Sequence, residues 1–396
     1  MKSIYLDFAA ASPMDKEVFL AMKPYLADNF YNPASQYLAA KSVRKDIEKA
    51  RSGIAHWLGV RPVELVFTAG GTEANNLAVN GVMQRFPGAN IVLSSIEHEA
   101  VSKPASRYDT VTVDVDKDGL VYLEKLKKAI NDQTVMVSIM YANNEVGSVQ
   151  SMKKIAEIIK SVLQSRKNIG NDLPLYFHTD ACQAAAYLDL HANTLGVDMM
   201  TINAGKIYGP KQSGALYVRA GLAILPQVLG GGQELGLRSG TENVANIVGF
   251  AKALDLVQKR RIKEVKRMSK LQSIFIELLE QSIPTVSING SKKHRLPNNI
   301  HITVPGTDNE LTMMQLDEAG VQCAVGSACS ASNDEPSHVL KAIGLSDEAA
   351  RSSLRFSMGF QTTELEVRKT VLLLDKILNN SGYFGGKSQP KPKQHI

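Results

Sequence analysis

The stretch His178-Thr179-Asp180-Ala181-Cys182-Gln183 closes the apolar run Leu175-Tyr176-Phe177. After one further run, Met199 to Ile202, comes Ala204-Gly205-Lys206-Ile207-Tyr208-Gly209-Pro210-Lys211. Strand-length apolar runs recur on either side: Leu65-Val66-Phe67, Ile91-Val92-Leu93, Val111-Thr112-Val113, Val135 to Met140 and Ala215 to Val218. Between them, residues such as Met152, Ile155, Ile158, Ile159 and Val162 repeat at the three-to-four spacing of an amphipathic helix. Strands that are apolar throughout, alternating with such helices, predict an α/β fold: a mainly parallel, seven-stranded sheet covered on both faces, with right-handed crossovers. In such a sheet the strand ends converge on one edge, so polar residues at those ends are the candidates for chemistry.

From Asn243 to about Ser282 the pattern becomes one long helix, with Ile247, Phe250, Leu254 and Val257 on one side and the charged run Lys259 to Arg267 exposed. Strands are expected at Asn299 to Val304, Gln322 to Val325 and Ser353 to Ser357, interleaved with helices near Glu310 to Gly320, Ser337 to Ile343 and Glu364 to Leu378. This second pattern reads as a smaller α+β domain. The expected organisation is a large domain over 16–255, a small domain from 1–15 and 256–380, and a Gly-, Pro- and Lys-rich flexible tail over 381–396.

At 396 residues, 44% hydrophobic and 21% charged, the composition is that of an ordinary globular protein. The net charge of +6 comes without a nucleic-acid-binding motif, so no direct nucleic-acid partner is expected. The N-terminal MKSIYLDFAAASPMD reads as neither a secretory signal nor a membrane anchor. Cys182, Cys323 and Cys329 form no CxxC pair, which fits a reducing cytoplasm.

A carboxylate at one strand end and a lysine beside glycine after the next are the equipment for holding pyridoxal phosphate: Lys206 as Schiff base, Asp180 against the pyridinium nitrogen. Asp180 also reads as a loop cap and Lys206 as a surface lysine; it is their combination that points to a cofactor. Thr68-Ala69-Gly70-Gly71-Thr72-Glu73 lies between a strand and a helix, where free N–H groups suit a phosphate, although a plain turn looks the same. His98, at another strand end, reads either as a polar loop residue or as a proton carrier beside the cofactor. Arg355, inside an apolar strand, needs a carboxylate or phosphate, and an internal salt bridge also serves. Cys329, in the small-residue run Gly326 to Ser332, is expected to be exposed, flexible and reactive, with an inert surface thiol as the alternative. Cys182 and Cys323 read as packing residues.

Taken together, the chain resembles the cysteine desulfurases of the class V aminotransferase superfamily, fold-type I enzymes that use pyridoxal phosphate. The resemblance runs from Tyr5-Leu6-Asp7 to about Leu378. It includes Asn32-Pro33-Ala34-Ser35, Asn143-Asn144-Glu145-Val146-Gly147, Gly230-Gly231-Gly232-Gln233-Glu234 and Arg238-Ser239-Gly240-Thr241. Gly326-Ser327-Ala328-Cys329-Ser330-Ala331-Ser332 followed by EPSHVL is similar to the group with a long cysteine loop, which serves iron-sulfur cluster assembly and tRNA thiolation.

The resemblance implies that Lys206 binds the cofactor covalently, Asp180 its ring nitrogen and Gln183 its ring hydroxyl. It implies stacking and proton transfer by His98, and phosphate binding by Gly71, Thr72, Asn203 and Thr241, the last acting across a homodimer. Asn144 contacts cofactor and substrate, and Arg355 takes the substrate carboxylate. L-cysteine would yield L-alanine and a persulfide on Cys329, passed on to an iron-sulfur scaffold or a tRNA-thiolation enzyme. Selenocysteine lyase, a related β-lyase and a non-catalytic scaffold are the alternative readings. The family usually has a hydroxyl residue at Asn203 and histidine at Gly205, so weaker cofactor binding is expected here. Leu38 and Leu235 stand where a histidine and an arginine are common.

Overall fold

The computed structural model describes residues 3–326 and 335–380. Cys329 and the tail 381–396 lie outside the described residues. After a short β1 (Ile4–Tyr5) come β2 (Leu65–Thr68), β3 (Asn90–Ser94), β4 (Asp109–Val113), β5 (Thr134–Ser138), β6 (Tyr176–Asp180), β7 (Met199–Asn203) and β8 (Gly214–Val218). These last seven form one sheet in the order β2-β8-β7-β6-β5-β3-β4. The block from β4 through β7 is parallel, as the helical crossovers require. Strands β2, β3, β5, β6 and β8 are buried along their whole length, because helices cover both faces, and this is why their sequences do not alternate.

One strand departs from the parallel expectation. β8 runs antiparallel to both β7 and β2. Between Asn203 and Gly214 the chain makes only a 3-10 turn, Ala204–Lys206, and then reverses through Tyr208 (φ 64°) and Gln212 (φ 55°), both in the left-handed region. That connection is too short for a crossover helix, so the returning strand is antiparallel. An apolar run carries no sign of its direction. Gly214 then lies so close to Gly70 that a Cβ there would sit 2.6 Å from the Gly70 carbonyl carbon.

The helix Val244–Ser282 runs unbroken for 39 residues, as its periodicity predicts. Beyond it lie β9 (Ser287–Ile288), β10 (Asn299–Thr303), β11 (Val321–Gln322) and β12 (Ser353–Ser357). The antiparallel β12-β10-β9 sheet and the parallel β1-β11 pair tie the N-terminus to the C-terminal part of the chain. The expected strand over Gln322 to Val325 is shorter, Ala324 adding only an isolated bridge to Arg355. Helices Lys16–Met22 and Leu38–Leu58, both packed on the long helix, were not among the expected elements. Leu65 and Phe67 join the main apolar core, which extends from Ile4 to Leu378, while Val66 faces a second cluster on the opposite side of the sheet.

A buried ion pair pins β2, the strand that leads into the Gly70-Gly71 turn. Arg51 donates to both Glu234 carboxylate oxygens (2.9 and 2.8 Å) and to the Leu65 carbonyl (2.9 Å), while the Phe67 N–H donates to Glu234 (2.7 Å). Both side chains are buried, so removing one strands the other's charge. Glu234→Ala should therefore destabilise the protein by about 3 kcal/mol or more in denaturant unfolding. An unchanged midpoint would show that the pair contributes nothing.

Candidate functional site

The edge of the sheet where β6 and β7 end opens into a cleft. Asp180, Gln183, Asn203, Lys206, His98, Asn144, Arg355, Gly71 and Thr72 all line it. Residues separated by nearly 300 positions thus meet at one sheet edge. Thr241 does not reach this cleft and lines a neighbouring cavity with Thr68, Ala69 and Ser213.

Asp180, last in β6, is buried. Its Oδ1 accepts the Cys182 N–H (2.9 Å) and its Oδ2 accepts Asn75 Nδ2 (2.6 Å). These donors orient the carboxylate without neutralising it, and among the described residues it has no salt-bridge partner. Behind it, His178 lies between the Ser138 and Thr201 hydroxyls (2.8 and 3.2 Å), and burial depresses its pKa to about 4, so it is neutral. A buried carboxylate that is oriented but not ion-paired suits a cationic ring nitrogen. Asn75 carried no motif in the sequence; its position one turn into a helix opposite a strand end was the only available signal.

The phosphate end is built on the helix Gly71–Arg85. Its first-turn acid, Glu73, folds back to accept the Ala69 N–H (3.0 Å) and is paired with Arg238 (2.8 Å), so its charge is balanced beside the helix N-terminus. A Cβ on Gly71 would lie 2.9 Å from Cys182 Sγ and 3.4 Å from Asn203 Nδ2, so any side chain there would have to displace the Cys182 thiol. Asn203 Oδ1 accepts the Gly205 N–H (2.9 Å), which turns the Nδ2 donor toward Gly71. The amide thus offers a donor where Gly205 has no side chain. The residues present fit pyridoxal phosphate: a carboxylate for its ring nitrogen, a lysine beside it and an N–H cup for its phosphate.

Lys206 Nζ donates to the carbonyls of Ala9 and Ala10 (2.9 and 2.7 Å), and Gln183 Nε2 donates to Ala9 O (3.0 Å). This N-terminal segment forms one wall of the cleft. It is stitched to the lysine turn through Ser12, whose Oγ accepts from the Tyr208 N–H (2.7 Å) and whose carbonyl accepts Lys211 Nζ (2.6 Å). Reading the sequence for strand ends missed this wall, because the segment follows only a two-residue strand. Cys182 is buried as expected but also lines the cleft. Burial raises its thiol pKa well above the ordinary value and pushes that of Cys323 up to about 12, so both remain protonated.

His98 caps the helix Glu99–Ala105: its Nδ1 accepts the Ala100 N–H (3.0 Å). A neutral ring so held carries its proton on Nε2. Glu97, beside it, is fully buried; its Oε1 accepts from Ser94 Oγ (2.5 Å) and the Met140 N–H (2.8 Å), and burial raises its pKa to about 8. Arg355, in β12, meets Asp7 (2.7 Å) and the Asn144 carbonyl (3.1 Å), and its buried Nε has no acceptor among the described residues. The internal salt bridge is therefore present, and the arginine also lines the cleft.

The sequence profile of the family described as aminotransferase class V matches residues 4–370. The protein named cysteine desulfurase IscS from Dictyoglomus turgidum is 40% identical over 384 residues, covering 95% of each chain. A solved NifS-like protein superposes with a TM-score of 0.87 at 30% identity, covering 96% of this chain and 100% of that one. The structure of SspA in complex with cysteine gives 0.77 at 32% identity, with coverage of 90% and 99%. The chain belongs to the class V aminotransferase family.

Two outcomes are expected of this site. Asn203→Ala should weaken pyridoxal phosphate binding about tenfold or more in an absorbance titration, the effect of losing a donor to a charged group; an unchanged dissociation constant would remove Asn203 from the cup. Glu97 titrates higher in the folded chain than in the unfolded one. The native state is therefore favoured most below the ordinary glutamate range and loses stability as pH rises through 8. Glu97→Gln should abolish a stability loss of about 3 kcal/mol between about pH 6 and pH 9, read by melting at each pH; equal pH slopes in both proteins would contradict it.

Proposed function

We propose that this member of the class V aminotransferase family is a cysteine desulfurase, converting L-cysteine to L-alanine and leaving a persulfide on Cys329. The observation that carries the reading is the convergence of Asp180, Lys206, His98, Asn144 and Arg355 on one cleft. Bound pyridoxal phosphate supplies the electron sink that no side chain provides. Lys206 would hold it covalently, Asp180 would keep its ring nitrogen protonated, Gln183 would meet its hydroxyl, and Gly71, Thr72 and Asn203 would hold its phosphate. His98 would lie against the ring and could deliver a proton from Nε2, since its Nδ1 is committed to Ala100. Arg355 and Asn144, which both line the cleft, orient the substrate carboxylate. The Cys329 thiolate attacks the substrate Sγ; the Cβ–Sγ bond breaks with its electron pair left on the carbon skeleton, which is protonated to alanine, and the sulfur stays on Cys329 as a persulfide.

In our reading the chain is organised as a large domain over 16–255 and a small one from 1–15 and 256–380. It works as a homodimer in the reducing cytoplasm and hands sulfur to an iron-sulfur scaffold or a tRNA-thiolation enzyme. The dimer is supported by the exposed Phe30, Leu38, Leu229 and Leu235, and by Thr241, which lies outside its own chain's cleft and serves the phosphate of the partner. Among the described residues no helix is long and apolar enough to cross a membrane.

Incubation of the cofactor-loaded protein with L-cysteine should release L-alanine and add one sulfur to the peptide that contains Cys329, by mass spectrometry. Cys329→Ser should lose sulfide release. Alanine and sulfide formation undiminished in Cys329→Ser would contradict the desulfurase reading and favour a lyase.

A further inference from the structure

Two turns bound the cleft on the side of His98 and Asn144, and both are gripped by one short segment from the C-terminal part of the chain. Ser337 caps the helix His338–Ala342: its Oγ accepts the N–H groups of Val339 and Leu340 (3.1 and 3.3 Å). The same hydroxyl donates to Glu145 Oε2 at 2.5 Å. Glu145 is almost completely buried and directly follows Asn144. The next residue, His338, donates from Nε2 to the carbonyl of Glu97 (3.0 Å), the residue directly before His98.

The two gripped turns are also tied to each other. Asn143 Nδ2 donates to the Ile96 carbonyl (3.2 Å), while its Oδ1 accepts the N–H groups of Glu145 and Val146 (2.8 and 2.9 Å). Glu97 Oε1 accepts the Met140 N–H. The bonds close a circuit: Ile96-Glu97 to Asn143, Asn143 to Glu145, Glu145 to Ser337, and His338 back to Glu97. A closed circuit of hydrogen bonds allows no member to shift unless a bond is broken, which makes it a means of orientation as well as of stability.

We propose that Ser337 and His338 are positioning residues, a two-point clasp that sets the His98 ring and the Asn144 carboxamide against the cofactor and the substrate. The inference rests on the desulfurase reading for what those two groups do. Capping alone predicts a different pattern of variants. Aspartate caps a helix as well as serine does, but at 337 it would set a second carboxylate against Glu145 and open the clasp, whereas threonine keeps both the cap and the donated bond. At 338, glutamine keeps an N–H donor and phenylalanine does not.

The test isolates the steps before sulfur leaves the substrate. In a Cys329→Ser background, cofactor-loaded protein is mixed rapidly with L-cysteine and the change in cofactor absorbance is timed. Ser337→Asp and His338→Phe should slow it by about tenfold or more, the scale of misplacing a reacting group, while Ser337→Thr and His338→Gln stay within about threefold of the parent. Ser337→Asp and His338→Phe that match the parent would overturn the clasp, as would glutamine failing to improve on phenylalanine. Should Ser337→Asp not fold, the His338 pair decides by itself. Wild-type protein that forms no alanine from cysteine would instead sink the desulfurase reading, so the two failures are distinguishable.

Discussion

A carboxylate taken out of water at the end of β6 governs this site. Asp180 is oriented by two uncharged donors, Asn75 and the Cys182 N–H, and backed by a histidine that burial keeps neutral. Its charge is thus aimed and left without an ion-pair partner among the described residues. Leaving an ionised group in that condition is costly unless the site's purpose is to receive a cation. In the proposed reading, a protonated ring nitrogen would be that cation. The lysine at the neighbouring strand end, the glycine turn and the histidine line the same cleft.

Much of this was legible because strand ends in a parallel sheet converge. Asp180, Lys206 and His98 each follow an apolar run, and the run is what brings them to the same edge. The antiparallel direction of β8 was not legible, since burial on both faces erases the alternation that would mark a strand's setting. It becomes clear only from the ten-residue return between Asn203 and Gly214, whose left-handed residues Tyr208 and Gln212 are neither glycine nor asparagine.

The cleft's walls were harder to read than its floor. Asp7 to Ser12 becomes a wall through its backbone carbonyls, to which Lys206, Gln183 and Lys211 donate, and carbonyls have no signature in a sequence. The substitution at Gly205 read as the loss of a phosphate ligand. In the structure, the Gly205 backbone N–H holds the Asn203 amide so that its donor faces the cup. Arg355 is paired with Asp7 and at the same time lines the cleft.

The central claim is electrostatic, and it can be measured at one atom. Protein loaded with pyridoxal phosphate labelled with 15N at the ring nitrogen should show the chemical shift of a protonated pyridine across neutral pH, and Asp180→Ala should move it to that of the unprotonated ring. An unprotonated ring nitrogen in the wild-type protein would contradict the account.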